Sequence, residues 1–306
     1  MTHIVPQQHR TLIIVLLLIL SAIWGSSFIL MKRALLVLSA PDIAALRMFF
    51  ATVMLLPFAV QGFRRVDRSM WGWIILQGFL GAGLPALLFV TAQQFLPSAI
   101  TGMLNAMTPI VTLIVASLVF GVHPTQRQMA GILIGFVGAV ILISGDMLFS
   151  LLLHQTGQNI TLSWHAGLVV LATVCYGFSV NISRQKFMHL QPADISIISY
   201  IVYGGIGGLL AWYHDVPTRL LSHPDGMRIT VYLFILGGIG SGVASLMFNR
   251  LIQISNALIA SSVTYLIPVV AIAWGLADGE VLTIANIAGI GIILAGVYLV
   301  NVAKKS

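Results

Sequence analysis

Residues 11–31 read TLIIVLLLILSAIWGSSFILM, 21 positions without a charge. An α-helix rises about 1.5 Å per residue, so this run spans about 30 Å, the thickness of a bilayer's hydrocarbon core. It outlasts the apolar region of a signal peptide and carries no small-x-small cleavage site, so it reads as a first membrane span. The rest of the chain repeats the theme. Of 306 residues, 58% are hydrophobic and only 8% are charged. A water-exposed domain carries about 25% charged residues, so lipid is the solvent for most of this surface. The net charge of +7 does not point to nucleic acid, because the basic residues sit in short loops between apolar runs. The single cysteine, Cys175, excludes a disulfide framework and reads as a packed thiol.

Working outward from the first run gives ten spans. They are Thr11–Met31, Ile43–Gly62, Trp71–Ala92, Ser98–Phe120, Met129–Ser144, His165–Ser183, Ile195–Trp212, Ile229–Arg250, Ala257–Ala277 and Thr283–Asn301. Only helices and closed barrels satisfy every backbone group in lipid. Runs this continuous are helical, since barrel strands would alternate. The expected fold is therefore an all-α membrane protein. Lysine and arginine fix its orientation. With the N-terminus inside, ten basic residues (Arg10, Arg64, Arg65, Arg68, Arg127, Arg184, Lys186, Arg250, Lys304, Lys305) are cytoplasmic. Four (Lys32, Arg33, Arg219, Arg228) lie opposite, and Arg47 lies within a span. Both termini are expected in the cytoplasm of a bacterial-type inner membrane.

The two halves resemble each other. Trp24-Gly25 lines up with Tyr176-Gly177, Ser27 with Ser179, Lys32 with Arg184 and Asp42 with Asp194. Further on, Gly81, Gly83, Leu87 and Phe89 meet Gly240, Gly242, Leu246 and Phe248, and Pro109 meets Pro268. Near the ends, Gly131 and Gly138 match Gly289 and Gly296. The first unit is assigned to residues 1–146, a connection to 147–164 and the second unit to 165–306. Five spans per unit is an odd number, so the second copy sits upside down. Two inverted five-helix repeats around a central cavity are the pattern of secondary transporters.

The matched residues also carry a family resemblance. Ile23-Trp24-Gly25-Ser26-Ser27-Phe28, then Pro41 and Ala44-Ala45-Leu46-Arg47, resembles the opening of EamA-type transporters of the drug/metabolite transporter superfamily. The stretch from Ala257 through Tyr265-Leu266-Ile267-Pro268-Val269-Val270 to Gly279-Glu280, Gly289 and Gly296 resembles the end of the same repeat. The resemblance covers nearly the whole chain. It implies ten helices, a cavity between the halves and, often, export of amino acids or other metabolites. One departure stands out: where the second half has Gly279-Glu280, the first has Gly121-Val122-His123.

Candidate chemistry follows from the polar groups inside spans. No Asp or Glu falls near a span centre, and all eight histidines lie in loops or at span ends. A proton-coupled carrier needs something to titrate in its pathway, so facilitated or exchange transport is expected. Trp24 and Tyr176, repeat partners near mid-span, are expected to wall a substrate site. Gln77, Asn105, Thr108, Ser241, Ser245 and Tyr265 join them as substrate-binding candidates, with Asn249 and Thr264 nearby. Each of these polar groups needs a partner in lipid, so bonding between helices explains them equally well. Arg47 either reaches the headgroups and helix carbonyls, or meets a substrate carboxylate or phosphate at an outer vestibule. Pro109 and Pro268 each free a carbonyl four residues earlier, at Asn105 and Thr264, and are candidate hinges.

Other classes fit less well. A rhomboid-like protease needs Gly-x-Ser-Gly, but Ile239 stands at the first position before Gly240-Ser241-Gly242. There is no His-Glu-x-x-His and no phosphate-binding Gly-Lys-Ser/Thr run, so neither a metal nor a nucleotide cofactor is expected. The expected partners are a small-molecule substrate and the lipid bilayer. Small-residue faces at Gly131/Gly135, Gly204/Gly208 and Gly238/Gly242 suit close helix packing, and leave a homodimer through the fifth and tenth spans open. The runner-up solute is a nucleotide sugar or a lipid-linked molecule, which would call for a strongly cationic cavity.

Overall fold

The computed structural model describes residues 7–152, 164–255 and 263–302, and every regular element among them is helical. The helices are α1 (Gln7–Ala34), α2 (Ala40–Leu55), α3 (Ala59–Arg65), α4 (Arg68–Gly78), α5 (Leu84–Gln93), α6 (Ser98–Asn105), α7 (Thr108–Phe120) and α8 (Gln126–Leu152). They continue with α9 (Ala166–Lys186), α10 (Pro192–Tyr213), α11 (Val216–Ser222), α12 (Gly226–Phe234), α13 (Ala244–Ile254), α14 (Val263–Ala277) and α15 (Ile284–Val302). Helix α8 runs beyond Asp146 into the segment read as a connection between repeats, and residues 153–163 of that segment lie outside the described residues.

Seven helical stretches among the described residues are long and apolar enough to cross a membrane: Thr11–Ala34, Arg68–Gln93, Ser98–Phe120, Gln126–Ile143, Ala166–Lys186, Pro192–Tyr213 and Gly226–Leu251. Two further apolar helices, Val263–Ala277 and Ile284–Val300, are shorter. The second expected span is divided. Its main helix stops at Leu55, the tight turn Leu56–Phe58 holds Pro57, and α3 carries on to Arg65. Proline has no N–H for the helical ladder, so the break falls where the chemistry puts it. Residues 257–262 of the ninth expected span lie outside the described residues.

Matching helices of the two halves pack antiparallel. On α2 and α10, Ala45 approaches Gly207 and Met48 and Thr52 approach Gly204, and the line continues onto α3, where Gly62 approaches Asp194 and Ile197. On α8 and α15, Gly131 meets Gly296 and Val300, while Gly138 meets Gly289 and Ile293. The cross-pairs repeat as well: α1 packs on α14, and its counterpart α9 packs on α7. All three small-residue faces are thereby used within the chain: Gly131/Gly135 against α15 and Ile110, Gly204/Gly208 against Thr52 and Phe49, and Gly238/Gly242 against Met54 and Ala51.

Two segments depart from ordinary α-helix at matching places. Phe79–Gly83 and Ile235–Val243 both widen into π-helix. Each contains the matched glycines, Gly81/Gly83 and Gly240/Gly242, which weaken the local α-helical preference. Such wide turns are rare and concentrate at functional sites.

The glycine seam between α8 and α15 makes a test. A Cβ added at Gly138 would lie 2.6 Å from the backbone nitrogen of Ile293, whereas one at Gly291 meets nothing within 4 Å. Gly138→Ala is expected to lower the thermal midpoint in detergent, at a cost of about 1–3 kcal/mol from overpacking. Gly291→Ala is expected to leave it unchanged or slightly raised. Equal effects would contradict this seam.

Candidate functional site

A cavity of about 260 Å³ lies between the two halves. Its walls come from α1, α2, α4, the first π segment, α5, α6 and α7 of the first unit, and from α9, α10, the second π segment, α13 and α14 of the second. Trp24, Arg47, Gln77, Asn105, Thr108, Pro109, Tyr176, Ser241 and Ser245 all line it, and so do Asn249 and Thr264. Tyr265 is placed elsewhere: its hydroxyl donates to the Val297 carbonyl at 2.9 Å, between α14 and α15. Pro268 is buried inside the unbroken helix α14 and does not reach the cavity.

The walls repeat across the pseudo-two-fold. Trp24 meets Phe248 edge-on at 5.1 Å, and the matching pair, Tyr176 and Phe89, stacks at 5.9 Å. A Cβ at Gly240 would touch the Ser27 hydroxyl, and one at Gly81 would clash with Ser179. The wide glycine turns thus let each half press its backbone against the first helix of the other.

Most polar groups on the walls are already bonded. Trp24 Nε1 donates to the Gly240 carbonyl at 2.9 Å. Gln77 Nε2 donates to Ser179 Oγ at 2.9 Å, and Ser179 donates back to the Gln77 carbonyl at 3.1 Å. Tyr200 OH donates to the Ser241 carbonyl at 3.2 Å. Ser245 and Asn249 both bond to Ser196 Oγ, at 3.2 Å each. At Pro109 the helix breaks between Asn105 and Thr108, and Thr108 Oγ1 donates to the Asn105 carbonyl at 2.7 Å. The carbonyl that Pro109 leaves free is therefore satisfied locally.

Arg47 points into the protein. Its Nε donates to Ser241 Oγ at 2.7 Å, and its Nη1 approaches Met31 Sδ at 3.8 Å. It lies two turns into α2 rather than at an outer vestibule, and its guanidinium belongs to the cavity wall.

One end of the cavity is closed. Phe28 and Met31, both buried, form its floor. Beyond them Lys32 Nζ pairs with Asp278 at 2.6 Å and Glu280 at 2.7 Å, and Arg33 pairs with Asp278. Glu280 also accepts from the Ser98 and Ala99 N–H groups, both at 2.9 Å, and from Ser98 Oγ at 2.7 Å. A carboxylate at a helix N-terminus satisfies orphan donors and meets the positive end of the dipole. On the same side Asp42 holds His214 at 2.6 Å and Arg219 at 3.0 Å. At the other end the wall reaches the exposed Arg184, which matches Lys32. The places that match Asp278 and Glu280 are Phe120 and Val122. Gly121 and Gly279 both end their helices at positive φ, 70° and 81°, so the turn is shared while the acids are not.

With this geometry the comparison with known proteins becomes specific. The profile of the EamA-like transporter family matches residues 11–144 and 163–302. The chain belongs to the EamA-like transporter family. It is therefore a membrane transporter of a small solute rather than an enzyme. Among its relatives is a protein named "Uncharacterized inner membrane transporter YedA" from Escherichia coli K12, 27% identical, covering 92% of this chain and 88% of its own. A protein named "Probable amino-acid metabolite efflux pump" from Salmonella typhimurium is 24% identical and covers 93% of each chain. An "Uncharacterized transporter" from Archaeoglobus fulgidus is 21% identical and covers 90% of this chain and 94% of its own. A solved crystal structure at 14% identity superposes with a TM-score of 0.59 over 95% of this EamA-like chain and 96% of the other, which shows a shared fold.

Several wall residues were not singled out from sequence. Phe89 and Phe248 were visible as matched positions, but inversion seats each against the first-helix aromatic of the other half, Phe89 on Tyr176 and Phe248 on Trp24. Tyr200, Tyr203, Ser196 and Ser199 come from α10, whose run of β-branched and small residues gives no sign of which face turns inward.

The closed end makes a pH test. Burial pushes the Glu280 carboxyl up, but Lys32, the Ala99 N–H and Ser98 outweigh it and hold it below the usual value of 4.5. A carboxyl lowered in the folded state contributes stability above that value and loses it as pH falls through the folded pKa. Glu280→Gln is expected to cost about 1–3 kcal/mol near neutral pH, the range for losing bonds to a charged group. It is also expected to flatten the acid fall in thermal midpoint below pH 4.5 relative to the unaltered protein. An unchanged acid profile would contradict the network.

Proposed function

We propose that this chain is a secondary transporter, an exporter of a small amphipathic metabolite, amino-acid-like or related, across an inner membrane. It works by alternating access between two inverted five-helix repeats. Ten crossings are proposed: the seven long stretches, the two shorter helices Val263–Ala277 and Ile284–Val300, and the divided segment α2–α3. The relatives' names support both the membrane and the solute class.

The observation that carries the reading is the shared cavity. Both repeats furnish its aromatic walls through the matched pairs Trp24/Phe248 and Tyr176/Phe89. Aromatic walls with a few placed polar groups suit a small solute that is part apolar. A cavity of about 260 Å³ favours such a molecule over a nucleotide sugar. Closure at Lys32–Glu280 and exposure at Arg184 correspond to one of two access states. With both termini cytoplasmic, as the basic residues favour, this state faces inward. Exchange of packing between the repeats would give the other.

Transport is proposed to be facilitative or by exchange, since no carboxylate or histidine lines the cavity among the described residues. Uptake into proteoliposomes measures this. The solute is expected to reach the same plateau with and without a pH gradient, and Trp24→Ala is expected to weaken its affinity about tenfold, the scale of one lost aromatic contact with its bond. Accumulation driven by the proton gradient alone would overturn the coupling. An unchanged Trp24→Ala would overturn the site.

A further inference from the structure

The cavity carries charge of one sign. Arg47 and Arg184 are the cations on its wall, and no aspartate or glutamate joins them. Neither arginine has a carboxylate within ion-pair distance among the described residues. The acid nearest Arg47 in sequence, Asp42, is taken by His214 and Arg219, and the acid nearest Arg184, Asp194, packs on Gly62 and interacts with Arg65. Arg47 is partly buried on the cavity wall, and a guanidinium there without a counter-charge attracts an anion more strongly than one on the open surface does. Arg47 keeps its Nε on Ser241, which orients the group and leaves its Nη edge without a strong acceptor. That edge has the two-pronged geometry that a carboxylate completes.

Acceptors are in the opposite condition. The carbonyls of Gln77, Asn105, Thr108, Gly240 and Ser241 each already take a hydrogen bond from a side chain. An ammonium brings three donors and needs acceptors and a negative charge around it. This wall offers it no negative charge, and these five backbone carbonyls have each given up one of their two lone pairs, which leaves the neutral amide oxygens of Gln77 and Asn249 as the open acceptors.

We propose that the cavity selects an organic carboxylate that lacks a cationic amine, with Arg47 holding the carboxylate and the Trp24/Phe248 and Tyr176/Phe89 pairs flanking its apolar body. This rests on the reading of the cavity as the solute site and narrows its chemistry. A zwitterionic amino acid binds more weakly than its deaminated counterpart, because its ammonium loses water without a replacement. Arg184, at the exposed mouth, adds a long-range attraction for anions.

The test is a thermal-shift titration of the purified protein with four compounds of one skeleton: 3-phenylpropionate, its neutral amide, phenylalanine and phenethylamine. Stabilisation reports binding to the folded form. The carboxylate is expected to bind at least about tenfold tighter than the amide, the scale of one charge-assisted hydrogen bond. Phenylalanine is expected below the carboxylate, and phenethylamine last. Arg47→Gln is expected to erase the preference for carboxylate over amide while the amide still binds, which shows that the variant is folded. Arg47→Lys is expected to keep part of the preference. Phenylalanine binding as tightly as the carboxylate, a preference that survives Arg47→Gln, or no binding by any of the four would each overturn the proposal. If the compounds bind but Trp24→Ala changes nothing, the fault lies instead with the cavity as the solute site.

Discussion

Lipid offers no hydrogen bonds, and the rest of this structure answers to that fact. Every backbone N–H and C=O within the bilayer must find a partner in the protein. Helices do this along most of the chain. Where the helix is broken or widened, the protein supplies the missing partner itself. Thr108 covers the carbonyl that Pro109 exposes. Trp24 and Tyr200 donate to the carbonyls of Gly240 and Ser241 inside the π segment. The break at Pro109 and the two π turns face the cavity, the place where non-helical backbone is tolerated at membrane depth. The same bonds that keep the fold intact therefore shape the site and decide which atoms remain for a solute.

Symmetry and its breach divide the work. The matched glycines, π turns and aromatic pairs build a cavity that both repeats share. The ends of that cavity are not equivalent. Lys32 meets two carboxylates, of which Glu280 also caps α6, whereas the places that match Asp278 and Glu280 in the first half hold Phe120 and Val122. Under the proposed alternating access, a hydrogen-bonded ion network at one end, with none at the matching place among the described residues, would bias the two access states unequally. Perfect symmetry would leave them balanced, so the departure in sequence has an energetic consequence.

Much of this was legible in the sequence, for definable reasons. Long uncharged runs report helices in lipid, and the ordered matches Trp24/Tyr176 and Pro109/Pro268 report the repeat. Eight of the nine polar or aromatic side chains singled out as substrate-binding candidates line the cavity, because polar groups in lipid are driven inward whatever their role. Tyr265 shows the limit of that logic: it also turns inward, but toward Val297 in the seam between α14 and α15. Periodicity cannot separate the two interiors. The matched prolines also behave differently. Pro109 follows a break and Pro268 sits in a continuous helix, although their local sequences align. The short α2, which ends at Leu55 before the Pro57 turn, was hidden inside a run that hydropathy reads as uniform.

One cavity is shared by the two halves, shut at Met31–Lys32 and reachable from the Arg184 end. Membrane-impermeant thiol labelling tests it most directly, with Ser183→Cys and Met31→Cys each placed in a Cys175→Ala background. Reagent applied to inverted vesicles should modify the cysteine at 183 quickly, while the one at 31 stays protected from either face. Rapid modification at 31 from the outer face, with protection at 183, would contradict the account.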